Sequence, residues 1–237
     1  MELVARDGAS QHNEVKKATR LILLPGLAAD ERMYEGIGPL PVRLVTPRLL
    51  EPYEDEDMAR YARRTAQHLG IGPNDLIGGC SFGSMVAAEI ARQQPCQGLI
   101  LLGGALSSAA LGWQAPVLQR IASWLPFSLL QKVLASPWFM QSVFGQASRD
   151  EYDLGRTMLL ETSEALLRQG GRLAVSYFPR QSVGCPVFAL HGGQDRVLKP
   201  PNGVDVEIVP EAGHGLVVSH ARAVTQFLAR FCIQLIV

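Results

Sequence analysis

The stretch Asp75-Leu-Ile-Gly-Gly-Cys-Ser-Phe-Gly-Ser-Met-Val-Ala-Ala-Glu-Ile-Ala91 decides how this chain is read. It opens as a short apolar run, tightens to Gly79-Cys80-Ser81-Phe82-Gly83, and continues as a small-residue helical pattern. Such a sequence predicts a strand, a sharp turn and a helix, with Ser81 lifted above the end of a sheet. The turn strains the backbone at its central residue, so the positions two before and two after must be very small. Gly79 and Gly83 meet that demand. The amino terminus of the following helix then aims free N–H groups at any negative charge developing beside Ser81. A glycine-rich packing turn is the plain alternative, so the partners of Ser81 matter.

A serine hydroxyl is a weak nucleophile and needs a base, which in turn needs a carboxylate to orient it. In this strand–turn–helix topology the chain order is serine, acid, histidine. Only His214 and His220 follow both Ser81 and a plausible acid. His214 lies in Glu211-Ala-Gly-His-Gly-Leu216, a glycine-flanked loop after the last apolar run, and is favoured over His220 at the start of the final helix. Asp195, in His191-Gly-Gly-Gln-Asp195, follows the Pro186–His191 run; its plain alternative is a turn or cap aspartate. Asp150 and Asp153 fall in a helical region and Asp205 inside a run. A tetrahedral intermediate also needs two oxyanion donors. The backbone N–H of Phe82 is one candidate. The N–H of Leu27, in Pro25-Gly26-Leu27 after the first run, is the other, with Gly26 allowing close approach.

Working outward, further apolar runs stand at Arg20–Pro25, Val42–Thr46, Gly98–Gly103, Pro186–His191 and Val204–Val209. Most are continuous rather than alternating, as in parallel strands covered on both faces. Helical patterns lie between several of them: Met58, Tyr61, Ala62, Thr65 and Leu69 share one face, with acids at Glu54–Asp57 ahead of it, and Ala221–Phe231 forms a last helix. The fold expected is α/β, a mostly parallel doubly wound sheet. One region, Ala105–Arg180, has no convincing strand and reads as a helical insertion. The expected organisation is a core of residues 1–104 and 185–237 with a helical cap at 105–184.

Composition sets the outer bounds. The 237 residues suffice for one large domain, and 47% hydrophobic content excludes a disordered chain. Twenty-two basic residues against 22 acidic give no net charge, which argues against a nucleic-acid partner. Four scattered cysteines, Cys80, Cys96, Cys185 and Cys232, form no C-x-x-C pair, so neither a disulfide scaffold nor a zinc site is expected. Residues 1–10 lack the apolar core of a signal peptide, and no apolar run is long enough to span a bilayer. A cytoplasmic protein is expected.

With Pro25-Gly26-Leu27, the turn at Ser81, His191-Gly-x-x-Asp195 and Gly213-His214 in hand, the chain resembles the α/β-hydrolase superfamily from about Arg20 onward. Many members carry His-Gly where this chain has Pro25-Gly26, and a second glycine where it has Ser84. The amino-terminal strands of larger members are shortened here, Glu2–Lys17 leaving room for one short strand or a hairpin. The resemblance implies acyl transfer through a covalent acyl-enzyme on Ser81, with Asp195 and His214 completing a triad, and no metal or organic cofactor.

The insertion bears on substrate. From Ala105 to Ser148 the only charges are Arg120 and Lys132. Val117, Leu118, Ile121, Trp124, Leu125, Leu129, Leu130, Val133 and Leu134, then Trp138–Met140, Val143 and Phe144, make a dense apolar series. Part of it is expected to be the cap's own core and its contact with the main domain; the sharper reading gives one face to an apolar acyl pocket, a lipid surface or a second copy of the chain. Ser107 and Ser108 could face the site, although loop residues of that kind are more often simply polar. The first function expected is hydrolysis of a carboxylic ester or thioester in a small molecule. The alternatives are C–C bond hydrolysis or acyl transfer by the same triad, and ligand binding without catalysis.

Overall fold

The computed structural model describes residues 20–236. The expected hairpin or strand in Glu2–Lys17 lies outside the described residues. Six strands, β1 (Arg20–Leu24), β2 (Arg43–Val45), β3 (Asp75–Cys80), β4 (Gly98–Leu102), β5 (Val187–Gly192) and β6 (Val206–Val209), form one parallel sheet in the order β2-β1-β3-β4-β5-β6. The helices are α1 (Met58–Leu69), α2 (Phe82–Gln93), α3 (Ala115–Trp124), α4 (Phe127–Leu134), α5 (Pro137–Phe144), α6 (Arg149–Glu161), α7 (Glu164–Val175), α8 (Leu216–Ser219) and α9 (Ala221–Ile236).

The continuous apolar runs have a simple cause. Side chains alternate across each strand, and both faces are covered. Ile22 and Leu24 of β1, Ile77 of β3, and Leu99 and Leu101 of β4 meet α1 and α2 on one face. Leu21, Leu23, Leu76, Ile100 and Leu102 meet Leu216, Val224, Phe227 and Leu228 of α8 and α9 on the other. Because β2 and β3 lie on opposite sides of β1, the chain reverses direction across the sheet there. The carboxyl ends of β1 and β3 open beside that reversal, where ligand crevices form in such sheets.

Two local readings are refined. Asp57, not the acids before it, caps α1, its carboxylate accepting from Arg60 N–H at 2.8 Å; Glu56 is instead buried and paired with Arg64 at 2.7 Å. The second half of the insertion, residues 149–170, reads from the sequence as one helix but breaks at Thr162–Ser163, where Ser163 accepts from Leu166 N–H and starts α7.

Helices α3–α7 form the insertion between β4 and β5. Its internal cluster is small: Ala135, Met140, Phe144, Leu159 and Leu167, packed against Leu27, Ala28 and Val218 of the sheet side. Most of the apolar series of α3 and α4 is therefore not cap core. Trp113, Trp124 and Trp138 are 84, 83 and 77% exposed, and Val117, Leu118, Ile121, Leu129 and Val133 also face outward. The cause is how α3 docks. Gln119 donates to Arg168 O at 3.0 Å, and Arg168 donates to Ala122 O and Leu125 O, each at 2.7 Å. The side of α3 that carries Ala115, Gln119 and Ala122 thus meets α7, and Val117, Leu118 and Ile121 turn away. Among the described residues no helix is long and apolar enough to cross a membrane.

Candidate active site

Ser81 sits between β3 and α2 with φ +50° and ψ −118°, one of two non-glycine residues with positive φ among those described. Such a conformation costs on the order of 1–3 kcal/mol and persists only where the surroundings impose it. Here α2 presses on the end of β1. A Cβ on Gly83 would lie 2.3 Å from Leu24 O and 2.4 Å from Pro25 O; one on Gly79 would lie 2.5 Å from Leu24 O. Both obstacles are backbone, so glycine is required at each position. Ser84 locks the turn from below. Its hydroxyl donates to Ser81 O at 2.5 Å and accepts from Ala105 N–H at 2.8 Å, joining the first turn of α2 to the segment leaving β4.

The three side chains singled out from the sequence meet at the carboxyl end of the sheet. His214 Nε2 lies 2.9 Å from Ser81 Oγ, and His214 Nδ1 lies 2.8 Å from Asp195 Oδ2. Asp195 occupies the turn after β5 and its Oδ1 accepts from Val197 and Leu198 N–H at 2.8 and 2.9 Å. It is almost wholly buried. Burial works to raise its carboxyl, but hydrogen bonds from His191 and His214 and from the Leu198 amide outweigh it, holding the group well below the usual carboxylate range. The carboxylate is therefore ionised and able to hold His214 with Nδ1–H toward it and Nε2 free to accept from Ser81.

His191 also reaches Asp195. It is buried at the end of β5, with Nε2 at 3.2 Å from Asp195 Oδ2 and 3.1 Å from Leu198 O. That nitrogen faces both acceptors, while Nδ1 is buried without a partner among the described residues. Its position four residues before Asp195, across two glycines, was the available signal.

Leu27 lies in a turn closed by Ala29 N–H to Gly26 O at 3.2 Å, with Ala28 at φ +65°. Among the described residues the N–H groups of Leu27 and Phe82 have no hydrogen-bond partner. Gly26 is less constrained than expected: a Cβ there would meet Ser81 Cβ at 3.5 Å and Cys80 O at 3.7 Å, ordinary contacts. His220 stands apart, with Nδ1 at 2.9 Å from Ser219 Oγ. Ser107 and Ser108 do not serve the site. Ser107 caps a short 3-10 turn, and Ser108 Oγ donates to Tyr177 O at 2.8 Å. Cys80 is packed in the core, where burial pushes its thiol up to about 12.

The cap touches this site at two places. Gly215 N–H donates to Val143 O at 3.0 Å, and Gly145 pairs with Ala212 as an isolated antiparallel bridge, so the end of α5 is stitched to the His214 loop. A Cβ on Gly215 would fall 2.5 Å from the Phe144 ring. On the opposite side Gly170 of α7 lies against Leu27, whose Cδ1 a Cβ there would meet at 2.6 Å.

Comparison with known proteins adds the following. A family model described as the alpha/beta hydrolase family matches residues 21–227. No curated protein sequence matches the chain. Among solved structures, a thermophilic esterase from Thermogutta terrifontis is 17% identical with a TM-score of 0.73, covering 93% of this chain and 92% of that one. An esterase from Exiguobacterium antarcticum is 15% identical with a TM-score of 0.68, covering 92% of each chain. MenH from S. aureus is 14% identical with a TM-score of 0.69, covering 94% of this chain and 96% of that one. At these identities the likeness is one of fold.

Proposed function

The chain belongs to the alpha/beta hydrolase family, and within it we propose a serine hydrolase that cleaves a carboxylic ester or thioester of a small molecule with an apolar acyl part. The observation that carries this reading is the unbroken chain from Asp195 through His214 to Ser81, at 2.8 and 2.9 Å, ending on a hydroxyl held at positive φ. A protein that only binds ligands has no need of that geometry.

In the proposed reaction Ser81 Oγ attacks the carbonyl carbon as its proton passes to His214 Nε2. The N–H groups of Leu27 and Phe82 receive the oxyanion. His214 then returns the proton to the departing alcohol or thiol, leaving the acyl group on Ser81. Water, deprotonated by the same nitrogen, releases the acid and restores the serine. Asp195 stays ionised throughout and steadies the imidazolium. Two features support an apolar acyl part: the cap's apolar cluster packs directly against Leu27 and Ala28, and no acidic residue occurs from Ala105 to Ser148.

Labelling with a fluorophosphonate tests the nucleophile. The wild type should react and Ser81→Ala should not; a folded wild type that resists labelling refutes the proposal. Rates on p-nitrophenyl esters of increasing acyl length test the substrate class, since a preference for acetate with no gain from longer chains contradicts an apolar acyl site.

A further inference from the structure

Two cysteines at the other end of the sheet from Ser81 are brought together by strand pairing. Cys96 lies two residues before β4 and Cys185 two before β5. These strands are parallel neighbours, with Leu99 opposite Val187 and Leu99 N–H donating to Pro186 O at 2.9 Å. The register carries the two sulfurs to 3.0 Å from each other across 89 positions of sequence. Their placement is fixed from the side as well. The segment returning from the cap is pinned to α2 by Arg92, which donates to Gln181 O at 2.7 Å and to the Tyr177 hydroxyl at 2.5 Å. Tyr177 in turn donates to Glu89 at 2.9 Å.

The other two thiols differ in every respect. Cys80 and Cys232 are buried, and burial pushes them up to about 12 and about 11. Cys96 and Cys185 are only partly buried, and their 3.0 Å contact lets either thiol donate to the other sulfur; with Cys96 as donor, Cys185 is lowered below its ordinary value. Thiolate character and access are what select a cysteine for oxidation.

We propose that Cys96 and Cys185 form an oxidative modification site, a dithiol that a hydroperoxide converts to an intramolecular disulfide. The Cys185 thiolate attacks one peroxide oxygen and the O–O bond breaks, giving Cys185 sulfenic acid and hydroxide or alkoxide, which takes up a proton. Cys96 sulfur then attacks the Cys185 sulfur, the S–O bond breaks, and the departing hydroxide leaves as water with the Cys96 proton. Two thiols are oxidised by two electrons and one peroxide is reduced by two. The bond closes a ring around β4 and the entire helical insertion, and fastens the cap's return segment to the foot of the sheet. The inference is independent of the reaction at Ser81.

The test is brief treatment of the full chain with hydrogen peroxide, followed by alkylation under denaturing conditions and peptide mapping. The expected product is two hydrogens lighter, has alkylatable thiols only at Cys80 and Cys232, and yields a Cys96–Cys185 cross-linked peptide. Its Tm should rise on the order of 10 °C, reversibly with reductant, because a long loop is closed in the unfolded state. Cys96→Ser and Cys185→Ser should each abolish the cross-link, and Ser81→Ala should retain it. Retention of all four thiols, a bond mapped to another pair, or overoxidation of Cys185 without the cross-link overturns the proposal, and the wild-type map decides this even if a serine variant folds poorly.

Discussion

Replacing Ser84 with alanine probes the lock beneath Ser81. The wild-type hydroxyl accepts from Ala105 N–H and donates to Ser81 O, and both Ser84 and Ala105 are buried. The two bonds are not equivalent. Ser81 O also accepts from the Ser84 amide at 3.1 Å and keeps that partner in the variant. The Ala105 amide has no such reserve, and Gly104 packs so closely on Ser84 that a Cβ there would lie 2.4 Å from its hydroxyl, which leaves little room for a replacement water. A buried donor left unpaired costs about 1–3 kcal/mol. For a chain of this length each kcal/mol is worth about 2–4 °C, so Tm should fall by about 2–12 °C in a thermal scan. At a temperature where both proteins are folded, turnover should fall by less than about tenfold, because the Asp195–His214–Ser81 chain is untouched. A change in Tm below about 1 °C would refute the argument that Ala105 depends on this hydroxyl. A loss of turnover beyond about 100-fold at unchanged stability would show instead that Ser84 takes part in the chemistry.

Ser81→Ala and His214→Ala should each lower turnover on an ester by roughly 10⁴–10⁶-fold, and the double variant should be no worse than the weaker single; multiplicative losses would show that the two do not act as one unit. Asp195→Asn should lower turnover by about 10³–10⁴-fold. Because folding depresses the Asp195 carboxyl, its stabilising contribution is complete above the unfolded value near pH 4 and is lost as pH falls through the folded value. The stability gap between wild type and Asp195→Asn in urea titrations should therefore be largest near neutrality and shrink below about pH 4; a gap that widens in acid contradicts the assignment. Gly215→Ala drives a methyl group into the Phe144 ring and should cost about 1–3 kcal/mol together with a fall in turnover. Combining it with Phe144→Ala should recover part of both losses, and strict additivity in that cycle would refute the contact.

The sheet was legible because its strands are covered on both faces, which writes them as uninterrupted apolar runs such as Leu21–Leu24 and Leu99–Leu102. The residues around Ser81 were legible for a different reason: backbone atoms of β1 stand where any side chain at Gly79 or Gly83 would go. What the apolar side of the cap meets was not legible, because apolar periodicity shows that a helix has such a side and no more. In α3 the packed side carries only small residues and Gln119, and it is held by hydrogen bonds of Gln119 and of the carbonyls that Arg168 caps. His191 and the Cys96–Cys185 contact were hidden because each depends on neighbours that only the folded sheet supplies. Cys96 and Cys185 look unrelated along the chain and become adjacent through the pairing of β4 with β5.

The stitch between the end of α5 and the His214 loop has a mechanical consequence. Gly215 N–H to Val143 O and the Gly145–Ala212 bridge straddle His214, so the cap and the imidazole share one anchorage. Lifting α5 to admit a bulky substrate must either break those bonds or pull His214 away from Ser81. In the second case an open cap also parts Ser81 from the imidazole 2.9 Å away, so displacement of α5 and loss of the Ser81–His214 contact are one event.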